Sequence, residues 1–535
     1  MMQEPLEAAH APATPFAPAS PGPFATVSPV DGAALESVTA TPMAELPAIV
    51  ARAREAQHGW QAMSVEQRVQ AIARVKDRAL DAAVAIAQAV HREVGKPEIE
   101  ALAGEVLPTA DVVHYWCESI EELLASTEID LDRMAYPGKT GWIHRDARGV
   151  VVLITPWNFP VALPLRTLVP ALLAGNAVVF KPSEISPRSG AMVAALFDGL
   201  LPPGVLQIVQ GGGEAGAALC ASEVDLVVFT GSVATGRRVA HACAERLSPC
   251  SIELGGKDAA IVLADANLER AANGVVWGAL TNAGQNCASV ERVYVERAVV
   301  AAFTEKVVAA VKALRPGADV GPLTTRAQCA IVTRHVDEAR SAGASVLVGG
   351  EGGAGGEGGH AGYAYAPTVL TVEGDDMALM QDETFGPVIP IAAVDSVDEA
   401  VRRANASRFG LTASVWTRSA RRGSEIASRL RAGVVTVNNH AFTGALPGAP
   451  WSGHGETGYG ITNSPFALEG LTRPRFVLVD RNRARRELWW YPYTPALRTV
   501  LTSMAILRSG SRGVFAKLKA LFALLGAMPK RMGGG

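Results

Sequence analysis

Cys287 stands in the run Asn282-Ala-Gly-Gln-Asn-Cys287-Ala288, with no second cysteine within thirty residues on either side. Such isolation suits neither a disulfide nor a zinc site. Small neighbours let a carbonyl approach the sulfur and leave backbone N–H groups free for an oxyanion, which is what a nucleophile needs. The competing reading is a small buried hydrophobe. Five other segments carry side chains with matching chemistry. Glu253-Leu-Gly255-Gly256-Lys257 sets a carboxylate ahead of paired glycines, so that it can swing between positions as a general base; otherwise it is a surface acid at a linker. Thr155-Pro156-Trp157-Asn158-Phe159-Pro160 offers an amide that can donate to a developing oxyanion or cap the next helix. Phe229-Thr-Gly231-Ser232-Val-Ala-Thr-Gly236 lets backbone N–H groups and a helix N-terminus face a pyrophosphate, unless it is only a turn. Lys181-Pro-Ser183-Glu184 ends a strand, and its carboxylate can accept from ribose hydroxyls while repelling a 2′-phosphate, which favours NAD over NADP. Glu383-Thr-Phe385-Gly-Pro387 puts an acid beside an aromatic ring, fit to hold a ribose and flank a flat ring, or to be an ordinary turn over a core Phe.

The elements that must position these residues read as α/β. Residues 45–127 are Ala-rich with apolar residues at helical spacing, as in Ala71-Ile72-Val75 and Ala83-Ile86-Val90. The run Gly149–Ile154 is a β-branched strand of the kind buried on both faces of a parallel sheet. Strand 176–180, helix 187–200, strand 205–209, a helix near 214–220 and strand 226–229 continue the alternation that right-handed βαβ crossovers produce. A second alternation starts near Ser251, with strands at 259–263, 292–295, 345–348, 389–394 and 434–438. Two doubly wound Rossmann-like lobes follow. The Gly-rich stretch 349–362 reads as an exposed loop.

At 535 residues, 49% apolar and 19% charged, the chain has a globular, soluble composition spanning two or three domains. Its six cysteines lack C-x-x-C pairs, so free thiols and no metal are expected. Residues 1–25 read as a disordered lead-in. No 18-residue uncharged apolar run occurs, so no spanning helix is expected. Nothing points to nucleic acid. From Arg481 to Gly535 eleven Lys/Arg face one acid, a net of +10, which leaves −13 for the rest of a chain whose total is −3.

In this order and spacing, T-P-W-N-F-P, K-P-S-E, F-T-G-S, E-L-G-G-K, G-Q-N-C and E-T-F-G-P resemble the NAD(P)-dependent aldehyde dehydrogenase superfamily over about residues 25–480. The resemblance implies Cys287 as nucleophile, Glu253 as general base, and Asn158 with the Cys287 N–H as oxyanion hole. For the cofactor it implies the Thr155-Pro156-Trp157 turn, Lys181, Ser183 and Glu184 at the adenine ribose, Gly231 and Ser232 at the phosphates, and Glu383 and Phe385 at the nicotinamide end. Oxidation of an aldehyde would pass through a thiohemiacetal and a thioester, and the presence of Glu253 points to hydrolysis instead of transfer to coenzyme A. The implied domains are an NAD-binding domain (26–133 and 149–252), a catalytic domain (253–455), and an oligomerisation arm with its return segment (134–148 and 456–490), in a dimer or tetramer.

Three features depart from the pattern. Asp258 follows Lys257, an oddity without a catalytic role. The glycine-rich loop appears altered, as Pro447-Gly-Ala-Pro-Trp451-Ser-Gly453. Arg166, eight residues after Asn158, stands where semialdehyde-oxidising members meet a substrate carboxylate, or else serves a subunit contact. Beyond the family's end, residues 491–535 form a basic tail. Val514, Phe515, Leu518, Leu521, Phe522 and Leu525 lie there at helical spacing behind Trp489, Trp490, Tyr491 and Tyr493. The stripe reads as a membrane-surface helix, a subunit contact or a cap on the active-site entrance, and loosely resembles the tails of fatty-aldehyde-oxidising members. The expected location is the cytoplasm, at the inner face of a membrane. The expected substrate is an apolar, fatty aldehyde; the alternatives are a semialdehyde held by Arg166, and a membrane-tethered NAD-binding scaffold without turnover.

Overall fold

Three valines open Val150–Ile154, and every residue of this strand is buried, as a strand covered on both faces requires. In the computed structural model, which describes residues 23–132, 136–352, 363–440, 442–483 and 487–532, it is β1 of a five-stranded parallel sheet. The other strands are β2 (Ala177–Lys181), β3 (Leu206–Ile208), β4 (Leu226–Thr230) and β5 (Cys250–Glu253), in the order β3-β2-β1-β4-β5. The chain builds outward from β1 to β3, then crosses back to β4, so a topological switch lies between β1 and β4. Crevices beyond the C-terminal ends of strands at such a switch bind ligands. Register aligns those ends: Ile154 pairs with Lys181 and Phe229, and Thr230 with Glu253. The segments after residues 154, 181, 230 and 253 therefore emerge side by side.

Helices cover both faces of this sheet. Trp60, Ile72, Val75, Ile86, Val90 and Trp116, from the helices between Leu46 and Leu124, pack with helix Ala162–Leu173 on one side. Leu46, Ile49, Val239 and Cys243 cover the other. Between Glu98–Ala101 and Leu107–Leu124 the helix widens into a π-turn, Leu102–Val106.

A seven-stranded sheet follows: β6 (Asp258–Val262), β7 (Val290–Glu296), β8 (Ser345–Val348), β9 (Thr368–Val372), β10 (Val388–Val394), β11 (Thr412–Trp416) and β12 (Val434–Val437). Its order is β8-β9-β10-β7-β6-β11-β12, parallel except for the edge strand β8. Strands β9 and β11 are absent from the sequence reading, and the expected helix 187–200 ends at Ala195. Of the expected disordered lead-in, residues 1–22 lie outside the described residues, but Pro23–Phe24 pairs with Val38–Thr39, which satisfies its backbone. Most of the Gly-rich stretch, 353–362, also lies outside them.

Both sheets belong to one compact unit, 23–125 and 145–474 among the described residues. Residues 456–474, grouped with the arm from sequence, pack here: Ala467, Leu468 and Leu471 enter the core beside helix Ala162–Leu173. The second unit spans 126–144 and 475–532 within the described residues. It holds a sheet ordered Thr472–Asp480, Lys139–Ala147, Thr127–Ile129. Lys139 pairs there with Asp480 at 2.8 Å and Glu487 at 2.7 Å. Helices Pro495–Arg508 and Val514–Met532 then pack on each other. The latter buries small residues, Ala520 and Ala527, and leaves Phe515 90% and Phe522 71% exposed. Among the described residues no helix is long and apolar enough to cross a membrane.

Candidate active site

Cys287 follows a turn in which Asn282, Ala283 and Gly284 all adopt the left-handed conformation, with φ of 54°, 54° and 72°. Left-handed Asn and Ala are costly, and the turn persists because its polar groups are tied. Asn282 Nδ2 donates to Asn158 O and Gln285 O at 3.0 Å each, and Gln285 Oε1 accepts from Thr324 N at 2.8 Å. Asn158 Nδ2 donates to Gln285 O at 3.2 Å. One amide hydrogen is thereby used and the second remains. The Asn158 side chain is thus fixed against the Cys287 turn by the same carbonyl that anchors Asn282.

Cys287 lines two cavities. The first, of about 280 Å³, is bounded by Pro156, Trp157, Asn158, Gly231, Ser232, Gly255, Glu383 and Phe385. The second, of about 230 Å³, is bounded mainly by apolar side chains, among them Phe159, Leu163, Trp277 and Trp451, with Arg166 and Glu100. The structure brings most of the sequence-predicted residues to the first cavity. Trp157 and Phe385 meet there edge to face, 5.8 Å between centroids. Phe385 has φ 51°, and Glu291 holds it there by accepting from Thr384 N at 2.7 Å and Phe385 N at 2.8 Å. Ser232 caps helix Val233–Glu245, accepting from Thr235 N at 3.4 Å, so its hydroxyl is engaged while the helix N-terminus points its free N–H groups outward. Glu383 accepts from Gly256 N at 3.1 Å; burial, then Glu291, push its carboxyl up to about 8.

Thr155, Lys181, Ser183 and Glu184 lie outside that cavity lining. Thr155 N donates to Lys181 O across the ends of β1 and β2 at 3.2 Å. Lys181 is buried, donates to Pro182 O at 3.0 Å and meets Glu184 at 3.4 Å; Glu184 is exposed and Ser183 buried. The cluster presents the exposed Glu184 carboxylate, paired with Lys181, at the strand ends. Backbone donors at a helix N-terminus, a carboxylate at the strand ends and an aromatic pair fit a dinucleotide.

Glu253 is buried and lines neither cavity. Its Oε1 accepts from Trp451 Nε1, and Thr462 Oγ1 donates to Oε2 at 3.5 Å. Burial pushes its carboxyl up, against the pull of the Trp451 bond and of Arg166. Gly255 lets the chain pass: a Cβ there would collide with Glu383 Oε2. The Cys287 thiol is held well above its ordinary value, by burial and then by Glu253, Glu383 and Asp258, with Arg166 opposing. Asp258, the departure after Lys257, is a buried acid accepting from Thr412 N at 3.0 Å and Thr412 Oγ1 at 2.6 Å, and it fastens β6 to β11. Arg166 lines the second cavity, and its buried Nε has no partner among the described residues.

The aldehyde dehydrogenase family model matches residues 16–477. The chain belongs to that family. It is 35% identical over 476 residues to the 4,4'-diapolycopene aldehyde oxidase of Methylomonas sp., covering 88% of each chain. It is also 35% identical to a Mycolicibacterium smegmatis protein provisionally named succinate-semialdehyde dehydrogenase [NADP(+)], covering 85% of this chain and 90% of the other. An NAD+ complex of a Bacillus cereus aldehyde dehydrogenase superposes with a TM-score of 0.82 at 31% identity, over 86% of this chain and 94% of that one. This aldehyde dehydrogenase fold makes the protein an oxidoreductase of a family that uses NAD(P), acts on aldehydes and is commonly oligomeric. Within its site, Glu291 and Glu100 are neighbours that the sequence reading did not single out, and Asn282 and Trp451 lay in segments that it quoted without giving them a role.

Proposed function

We propose that this enzyme oxidises an apolar aldehyde to its carboxylic acid with NAD. The observation that carries the reading is that Cys287 lines both the dinucleotide-shaped cavity and the apolar one. The Cys287 sulfur, its proton lost to solvent, bonds to the aldehyde carbon as the thiolate. The second Asn158 amide hydrogen and the Cys287 N–H hold the oxyanion, worth about 3 kcal/mol per donor in such sites. The bound dinucleotide supplies the hydride acceptor. Collapse of the oxyanion leaves a thioester on Cys287. Glu253, freed toward the site by Gly255 and Gly256, takes a proton from water, whose oxygen attacks the thioester; the acid leaves and the thiol is restored. The exposed Glu184 carboxylate, hostile to a 2′-phosphate, favours NAD over NADP.

The test follows reduced-cofactor formation over aldehydes from succinate semialdehyde to long chains, with Cys287→Ala as control. A long-chain optimum that vanishes in the variant supports the reading. Silence in a protein that still binds NAD would leave only the scaffold. A second reading is favoured by Arg166, a guanidinium in the cavity wall with an unpartnered Nε, which a substrate carboxylate would satisfy. Arg166→Met then raises KM for a semialdehyde and spares an apolar substrate.

We further propose a homodimer or homotetramer in the cytoplasm whose C-terminal hairpin docks on an anionic lipid surface. After Glu487 the chain has seven Lys/Arg and no acid, so a second copy of the tail is repelled and anionic headgroups are attracted. Each large side chain of the Val514–Leu525 stripe removed from water contributes about 1.5–3 kcal/mol. The exposed Trp489, Trp490, Tyr491 and Tyr493 supply interfacial anchors. Full-length protein should float with anionic vesicles and Phe515→Ser/Phe522→Ser should not. Loss of the oligomer in the variant, without flotation of the parent, would make the stripe a subunit contact.

A further inference from the structure

The π-turn Leu102–Val106 breaks the register of a long helical segment, with Leu107 N–H bonded back to Leu102 C=O. Such widened turns occur as single bulges, frequently at functional sites. Two acids belong to this stretch, Glu100 just before the turn and Glu105 within it, and their carboxylates bond different segments beside the apolar cavity. Glu105 accepts from Val161 N at 3.1 Å and Ala162 N at 2.8 Å, the entry to helix Ala162–Leu173 just after Asn158. It is also paired with Lys96, both side chains being fully buried, and the Lys96 ammonium stands 3.7 Å from the centroid of the Phe159 ring. Glu100 accepts from Asn282 N at 2.8 Å and Thr281 Oγ1 at 3.3 Å. That N–H belongs to the first of the three left-handed residues that lead to Cys287.

We infer that Glu100 and Glu105 are positioning residues for acyl transfer. The π-turn spaces them so that one helix grips both the Asn158 wall and the Cys287 turn. Each carboxylate bonds backbone N–H groups, and removing it frees the segment it holds. A shift of about 1 Å between sulfur and oxyanion donor costs on the order of a hundredfold in rate. The inference rests on Cys287 being the nucleophile.

The experiment compares Glu100→Ala and Glu100→Gln in the full chain. It reads kcat and KM for the aldehyde, NAD affinity, and the rate at which iodoacetamide alkylates Cys287 without substrate, followed by mass spectrometry of the Cys287 peptide. Glu100→Ala should lower kcat by about tenfold or more, the size of one hydrogen bond to a charged group. It should change the alkylation rate comparably, with KM and NAD affinity within about twofold. Glu100→Gln, whose Oε1 can still accept from Asn282 N, should recover part of that loss and stay about threefold below the parent. Unchanged kcat and alkylation in Glu100→Ala would overturn the inference, as would a rise confined to KM, which would make Glu100 a substrate contact. If Glu100→Ala fails to fold, Glu100→Gln decides alone, since it loses one of two acceptors: a kcat drop of about threefold at constant KM supports positioning, and no change removes it. An inert Cys287 in the parent protein would instead refute the nucleophile reading.

Discussion

Replacing Trp451 by Phe removes one hydrogen-bond donor and keeps the ring that packs against Ala288 and Leu411. That donor is the Nε1–H bonded to Glu253, and it is the largest influence opposing the burial that raises this carboxyl. A hydrogen bond to a charged group contributes about 1.5–3 kcal/mol, and one pKa unit corresponds to about 1.4 kcal/mol. Losing it should therefore raise the Glu253 pKa further. The ionised fraction then falls by about tenfold or more on the acid side, and thioester hydrolysis falls with it. Two observables follow. The acid limb of the pH profile of aldehyde oxidation should move to higher pH. At neutral pH the variant should show a burst of reduced cofactor, near one per active site, ahead of a slow steady state. An acid limb that stays in place, or moves down, would refute the reasoning, and so would a uniformly slow rate without a burst. Melting temperature separates this from lost packing, since the smaller ring also removes buried area.

Glu253→Gln should halt turnover at the thioester, visible as a stable acyl adduct on Cys287 by mass spectrometry. It should also raise Tm above neutral pH. A carboxyl whose folded pKa is raised binds its proton more tightly when folded, so its ionisation costs stability as pH climbs from the unfolded to the folded value; the neutral amide escapes that cost. Asp258→Asn has the same sign: with the carboxyl pushed up to about 8 by burial, the variant's Tm advantage over the parent should grow from about pH 4 to about pH 8 and level off above it, as thermal melts across pH will show. Glu184→Arg should improve NADP affinity and weaken NAD, read by titration of intrinsic fluorescence. Gly284→Ala should lose alkylation of Cys287 and destabilise the fold by more than about 1 kcal/mol, because φ is 72° and its Cβ would overlap Gly386 O.

Motifs made of neighbours were legible in the sequence, and contacts made across the chain were not. Cys287, Asn158 and Gly231 announce themselves through the small or turn-forming residues beside them. Glu100, Glu105 and Glu291 look like ordinary helix or strand acids. Their partners stand 182, 57 and 94 residues away, at Asn282, Ala162 and Phe385, and no local pattern records such distances. Strand β11 escaped because Thr412 and Ser414 dilute its apolar pattern; their polarity is matched by Asp258 and by Trp416 Nε1. In the tail, spacing gave the helix and the stripe. It did not show that small alanines face the neighbouring helix and the large side chains face out.

The buried acids around Cys287 explain how the site keeps its thiol. Burial raises Cys287, and Glu253, Glu383 and Asp258 add to it, with Arg166 the opposing cation. A thiol held protonated is a poor nucleophile but also a poor target for oxidants, since the thiolate is the reactive form. The proposed base is pushed up by burial and pulled back by one indole N–H. Trp451 thus bears on the ionisation of that carboxyl without lying on the path of any proton. This is why the altered glycine-rich loop, which shares no motif with Cys287, belongs to the chemistry of the site.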